Sequence, residues 1–228
     1  MSAPHARTRI DVTSAAARRR WYLERAFRKA TRGSGSDLWF LLELAPSHGV
    51  DMIESVFGDA SAMLISARAV AAYAPERFTK DVDFLVPYDF FAEEEERLRA
   101  AGWERLRSLV FPNAALGLIG SAWHNAARTT EIDVITSPQA WVREAFETAV
   151  ARDRSGHRVI PLAYLVLMKL DSARAIDQAD LSRTLGRLDA EQVEAIVRIV
   201  ERHYGDPAAG DEVRQYHEVG RWEYETPE

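Results

Sequence analysis

The chain has 228 residues, of which 47% are hydrophobic and 28% charged, with a formal net charge of −6 and no cysteine. That length supports one well-buried core, or a core with a small second lobe. The acidic balance argues against coating nucleic acid with the whole surface, and the lack of cysteine excludes disulfides, zinc–thiolate sites and thiol catalysis. No run approaches the roughly 20 apolar residues that span a bilayer, and no secretory-type apolar block opens the sequence. A cytoplasmic protein with no membrane partner is therefore expected.

In chain order, a helical pattern runs from Asp11 to about Thr31, with Thr13 or Ser14 able to cap it. Residues 1–32 carry nine basic side chains (Arg7, Arg9, Arg18, Arg19, Arg20, Arg25, Arg28, Lys29 and Arg32) against Asp11 and Glu24. Such a basic arm suits phosphates or an acidic partner, and equally a solvated helix. Gly33-Ser-Gly-Ser36 breaks the pattern, and Asp37 to Leu44 reads as a short helix. Ser61 to Ile65 reads as a buried strand, Arg68 to Tyr73 as a short helix, and Val82 to Val86 as a second strand closed by Pro87. Phe90 to Ala101 is an amphipathic helix whose glutamate run forms its solvated face. Strands are expected at Leu106–Phe111, Leu116–Ile119 and Glu131–Ile135, with His124 in the loop between the last two. Helices then take over at Leu162–Ala175, with Pro161 in the first turn, at Leu181–Leu185 and at Ala190–His203. Trp141, Phe146 and Tyr164 are expected to pack the core between lobes. The fold class is α/β (α+β), a mixed sheet flanked by helices and followed by a helical C-terminal lobe. Its segments are a basic helical arm and linker (1–36), an α/β core (37–150), a helical lobe (151–206) and an acidic tail ending in a short helix (207–228).

The strongest local signal is Arg77-Phe-Thr-Lys-Asp-Val-Asp-Phe-Leu-Val86. Asp81 and Asp83 alternate with Val82 and Phe84, so in a strand they project from one face. Two such carboxylates repel one another and lose hydration; a hard divalent cation removes both penalties, as does an acidic strand edge left in water. Glu131-Ile-Asp-Val-Ile135 repeats the pattern about 50 residues later. If the two strands are neighbours, Asp133 completes a three-carboxylate cluster of the kind that holds two Mg²⁺ ions for in-line phosphoryl transfer. Lysine stands at only three positions among 29 basic residues, and two of them, Lys80 and Lys169, fall inside the singled-out segments.

The stretch from Met63 to Val86 resembles the signature of the nucleotidyltransferase superfamily that includes DNA polymerase β. That signature is an apolar strand, a glycine turn, a short helix and Asp-x-Asp on the next strand. Its Arg77-x-Thr79-x-Asp81-x-Asp83 wording looks most like the bacterial AbiEii/AbiGii group of nucleotidyltransferase toxins. The later Lys169, Arg174, Asp177 and Asp180 match that group's order, and the resemblance covers roughly residues 60–185. It implies transfer of a nucleoside monophosphate from an NTP such as ATP to a hydroxyl acceptor, with Mg²⁺ or Mn²⁺. The implied acceptor is RNA (tRNA in particular) or protein, in a toxin–antitoxin system with an antitoxin protein as partner. Asp81, Asp83 and Asp133 are implied as metal ligands and catalytic residues. Lys169 is implied to reach the phosphates, with Asp177 or Asp180 positioning Lys169 or the acceptor. Ser66, Ala67, Arg77, Thr79 and Lys80 complete the implied nucleotide-binding set. The sequence departs from the family in one respect, since the glycine pair falls on Ser66 and Ala67. A non-catalytic or weakened nucleotide-binding relative and an antibiotic-modifying enzyme therefore stand beside the main expectation.

Overall fold

The computed structural model describes residues 15–29, 56–57, 61–74, 82–111, 114–125, 130–153 and 156–225. Eight helices are described: α1 (Ala15–Lys29), α2 (Ser66–Val70), α3 (Phe91–Ala100), α4 (Ala140–Thr148), α5 (Leu162–Ser172), α6 (Ala175–Leu185), α7 (Ala190–Tyr204) and α8 (Pro207–Tyr224). The strands are β1 (Met63–Leu64), β2 (Val82–Leu85), β3 (Glu104–Val110), β4 (Ile119–Asn125) and β5 (Thr130–Thr136), and a 3₁₀ turn at Tyr88–Phe90 leads into α3. They form one mixed sheet in the order β1-β2-β5-β4-β3. The molecule is thus a mixed α/β fold, with a five-stranded sheet flanked by helices and a helical C-terminal part.

The centre of the sheet follows from its residues. In β2, Val82, Phe84 and Leu85 are buried, and in β5 Ile132, Val134 and Ile135 are buried. Near-continuous apolar strands of this kind belong between two covering layers. β2 and β5 run parallel, while β1, β4 and β3 add antiparallel pairs. The outer edge of β1 is covered by the chain before α5, where Leu64 N–H donates to Arg158 O at 2.8 Å and Ile160 N–H to Leu64 O at 3.1 Å. One face of the sheet carries Trp123, fully buried, with the Arg99 guanidinium of α3 5.3 Å from its ring. The other face, which carries Asp83 and Asp133, is covered by α5.

α5 is apolar around most of its circumference, with Leu165, Val166, Leu167 and Leu170 at 1% exposure or less, as expected of a central helix. It stops because Ala173 turns left-handed (φ 49°) and its N–H caps Lys169 O. α7 begins with a reciprocal cap between Asp189 and Gln192, and α8 with Asp206 as cap and Pro207 in the first turn.

Several expectations shift. Ile119–Asn125 is a seven-residue strand, longer than and C-terminal to the Leu116–Ile119 strand expected, and it takes in His124. α4 stands where no helix was expected, burying Trp141, Val142 and Ala145. α2 begins at Ser66, two residues earlier than expected, and ends at Val70. Pro207–Tyr224 is an 18-residue helix burying Val213, Tyr216 and Val219, not a polar segment with a short terminal helix. Glu94 is not on a solvated face: it is 1% exposed, pairs with Arg97 at 3.0 Å, and burial first of all raises its carboxyl above the usual range. Arg19 of the basic arm is buried too, bonded to Glu212 of α8 and to Leu170 O of α5. Thr13, Ser14, Gly33 to Ser36 and the Asp37–Leu44 helix lie outside the described residues.

Candidate active site

The sheet brings two of the expected carboxylates together. Asp83 of β2 and Asp133 of β5 are direct partners in the parallel register. Register partners in a parallel pair point to the same face, about 4.8 Å apart along the hydrogen-bonding direction. Both side chains are half-buried. Across β5, Asp133 is paired with Ala122 of β4, whose side chain is a single methyl. The backbone of Asp83 is fixed from the other side, where Ile65 N–H donates to its carbonyl at 3.0 Å. Ser66 follows in the left-handed region, φ 58°. That is a backbone shape that glycine adopts freely and serine holds only at a cost.

Opposite the sheet stands a second cluster, on α5 and α6. The Lys169 ammonium is 3% exposed and donates to Asp177 at 2.9 Å and Asp180 at 2.8 Å. Asp177 also accepts from Ser172 Oγ at 2.6 Å and from Arg174 Nε at 2.7 Å. Arg183 lies 3.7 Å from Asp180. Burial by itself would raise Asp177, but the Lys169 and Arg174 charges outweigh it and hold the carboxyl below the usual range. The Arg174 side chain is 65% exposed and feels the Asp83 charge.

The two clusters line one cavity of about 310 Å³, together with Ser66. That is the lower end of the size range of small-molecule sites, about 300–1,000 Å³. A third wall is apolar: Val110 and Phe111 leave β3, Ala114 and Leu118 sit in the turn before β4, and Leu165 and Met168 come from α5. This turn is held by Asp171, which accepts from Ala115 N–H at 2.8 Å, Leu116 N–H at 3.4 Å and Tyr204 Oη at 3.3 Å. Leu116 O in turn accepts from Ser137 Oγ at 2.7 Å and Trp141 Nε1 at 3.3 Å. Burial raises the Asp171 carboxyl, against the lowering effect of those donors and of Arg19.

Of the residues singled out in the sequence, Asp83, Asp133, Lys169, Arg174, Asp177 and Ser66 line this cavity. Asp180 is fully buried behind it, bonded to Lys169, and Ala67 is buried in α2. Asp81, Arg77, Thr79 and Lys80 lie outside the described residues. Asp171 and Ser172 were not singled out for the site. The available signal was an aspartate two residues after a lysine on an otherwise apolar helix, where an unsatisfied carboxylate is costly.

Among the described residues no group of three metal-ligating side chains assembles. Asp83 and Asp133 nevertheless fit a hard divalent cation: Mg²⁺ is commonly held by one or two carboxylates, its other positions being filled by water and phosphate oxygens. No described helix is long and apolar enough to cross a membrane.

No family model and no curated protein matches the sequence. Among solved structures, the chain is similar to a candidate nucleotidyltransferase from H. pylori, at 12% identity over 80% of this chain and 95% of that one, with a TM-score of 0.42. It is also similar to JHP933 from Helicobacter pylori, at 11% identity over 80% and 92% of the two chains, with a TM-score of 0.40.

Proposed function

We propose that the cavity is the active site of a metal-dependent nucleotidyltransferase, which moves a nucleoside monophosphate from an NTP to a hydroxyl acceptor. The observation that carries this reading is the parallel register of Asp83 and Asp133 on one wall of a cavity whose opposite wall carries Arg174. Two adjacent carboxylates repel one another when no cation lies between them, and an exposed guanidinium facing them offers a seat for an anion.

In this reading Asp83 and Asp133, joined by Asp81, hold Mg²⁺ or Mn²⁺. That ion, when bound, supplies charge neutralisation on the triphosphate. Ser66 donates its hydroxyl to a phosphate oxygen from the edge of the sheet, and Arg77, Thr79 and Lys80 are the further nucleotide-binding residues of this reading. Asp133 takes the proton of the acceptor hydroxyl as its oxygen bonds to the α-phosphorus. The bond from that phosphorus to the bridging oxygen breaks, and pyrophosphate leaves with the electron pair. Lys169 neutralises Asp177 and Asp180 and so fixes the junction of α5 and α6 that forms the far wall. The apolar wall excludes water from the reacting groups and offers the base a surface. The acceptor is RNA, tRNA in particular, or a protein hydroxyl, and an antitoxin protein is the expected partner of a toxin acting this way.

The test is transfer of label from each α-³²P NTP, with Mg²⁺, to total cellular RNA and protein extract. Wild-type protein should label one class of acceptor, while Asp83→Asn and Asp133→Asn should each lose at least a hundredfold. Label transferred equally by the variants, or by none of the proteins with any NTP, overturns the reading.

A further inference from the structure

The two cations of the far wall differ in what they can reach, and the difference assigns them different tasks. Lys169 carries its charge on a side chain 3% exposed, between two carboxylates at 2.9 and 2.8 Å. An ammonium in that position has spent its attraction, and moving it toward a ligand would leave two buried carboxylates short of a partner. Arg174 immediately precedes α6, and its side chain is 65% exposed at the cavity. Only one edge of its guanidinium is engaged: Nε donates to Asp177 at 2.7 Å and to Ser172 Oγ at 3.1 Å, and one Nη makes a long contact to Asp177 at 3.4 Å. The outer edge has no other contact among the described residues.

We propose that Arg174, and not Lys169, is the cation that binds the phosphate chain of the substrate, and that Lys169 is a positioning residue acting through Asp177. The inference rests on the nucleotidyltransferase reading and specifies which side chain meets the anion. Lys169 and Ser172 fix Asp177, Asp177 fixes the inner edge of the guanidinium, and the outer edge is left pointing at the ligand with its rotation already restricted. Pre-orientation of this kind lowers the entropy lost when a planar fork pairs with two phosphate oxygens. The position also suits the opposite wall. Arg174 already feels the Asp83 charge, so a polyphosphate chelated to a cation at Asp83 and Asp133 would lie between the carboxylates and the guanidinium.

The probe is inorganic tripolyphosphate with Mg²⁺, titrated calorimetrically into the full chain, because it carries the phosphate chain without base or sugar. Arg174→Gln should weaken binding at least tenfold and Arg174→Lys by several fold, with the thermal midpoint of both close to wild type. Lys169→Met should lower the midpoint markedly and, at a temperature where it remains folded, weaken tripolyphosphate binding by less than Arg174→Gln does, because Asp177 then holds the guanidinium less firmly. Arg174→Gln binding as tightly as wild type overturns the assignment, as does a folded Lys169→Met losing more affinity than Arg174→Gln. If the assignment fails while Asp83→Asn still abolishes NTP transfer, only the role of Arg174 is lost. Wild-type protein that binds neither tripolyphosphate nor any NTP removes the nucleotidyltransferase reading as well.

Discussion

The two charged walls of the cavity are built on opposite principles. On the helical wall each carboxylate has two cations within 4 Å: Lys169 and Arg174 for Asp177, Lys169 and Arg183 for Asp180. Lys169, Asp177 and Asp180 are deeply buried, and the ammonium is hydrogen-bonded to both carboxylates. On the sheet wall two carboxylates stand side by side, half-exposed, on neighbouring strands whose backbone pairing sets their register. A compensated cluster contributes to stability and holds shape. A like-charged pair on neighbouring strands is favoured by a cation between the two groups, and rigid strands hold such groups in place without help from the ligand. Perturbing the first should therefore be read in folding, and perturbing the second in binding.

The largest expected effect lies on the helical wall. Lys169→Met leaves Asp177 and Asp180 buried with weaker compensation, which costs about 3–5 kcal/mol in comparable pairs, and urea unfolding would show it. A variant that unfolds at the wild-type midpoint would break the contrast between the walls. Next comes the seat of α6 itself. A Cβ on Gly220 of α8 would fall on the carbonyl oxygen of Ser182 and within 2.8 Å of the Gly186 Cα. Gly220→Ala should cost about 1–3 kcal/mol, toward the upper end because the obstacle is backbone, measurable in the same way.

A pH-dependent effect follows from Asp177, whose carboxyl is held below its ordinary value. A depressed carboxyl contributes stability that is full above the unfolded pKa of about 3.9 and is lost as pH falls through the folded value. The gap in unfolding free energy between wild type and Asp177→Asn should thus stay constant from pH 7 to about 5 and close below about 4. A gap that is the same at pH 3 and pH 7 would contradict the charge balance assigned to this wall.

The smallest effect belongs to the sheet wall. Ser66 sits at φ 58°, where an L-residue is disfavoured by roughly 1–2 kcal/mol, part of which the extra unfolded freedom of glycine gives back. Ser66→Gly should therefore stabilise the fold by about 1 kcal/mol in urea. If the hydroxyl meets a phosphate, the same variant should bind Mg²⁺·NTP more weakly while being more stable. Gains in both would leave the hydroxyl without that role.

The unequal legibility of the two walls in the sequence has a physical cause. Period-two alternation of carboxylates with apolar residues marked Asp83 and Asp133 as strand residues of a shared type, and both lie on strands. That they are register partners depends on a crossover through α3, β3 and β4, which no local pattern encodes. β4 does not read as a strand in the sequence because Gly120, Ser121 and Asn125 are turn-forming types, although residues 120–123 are buried on both faces and need no alternation. α4 could have been found, since Trp141, Val142 and Ala145 keep helical spacing. α8 was hidden by Gly210 and Gly220, which lower helix propensity and are there because other groups approach them closely, the Glu201 side chain at Gly210 and the backbone of α6 at Gly220. On the helical wall, the order Lys169, Arg174, Asp177, Asp180 could be read. Which cation is enclosed and which exposed could not, because that depends on how α5 and α6 meet at the left-handed Ala173.

The central claim is that Asp83 and Asp133 act as one cation site. It is tested most directly by Mn²⁺ binding, followed by water-proton relaxation, in wild type, Asp83→Asn, Asp133→Asn and the double variant. A shared site predicts that each single substitution loses nearly all the affinity the double one loses, a strongly non-additive cycle. Additive losses, or wild-type affinity in either single variant, would contradict it.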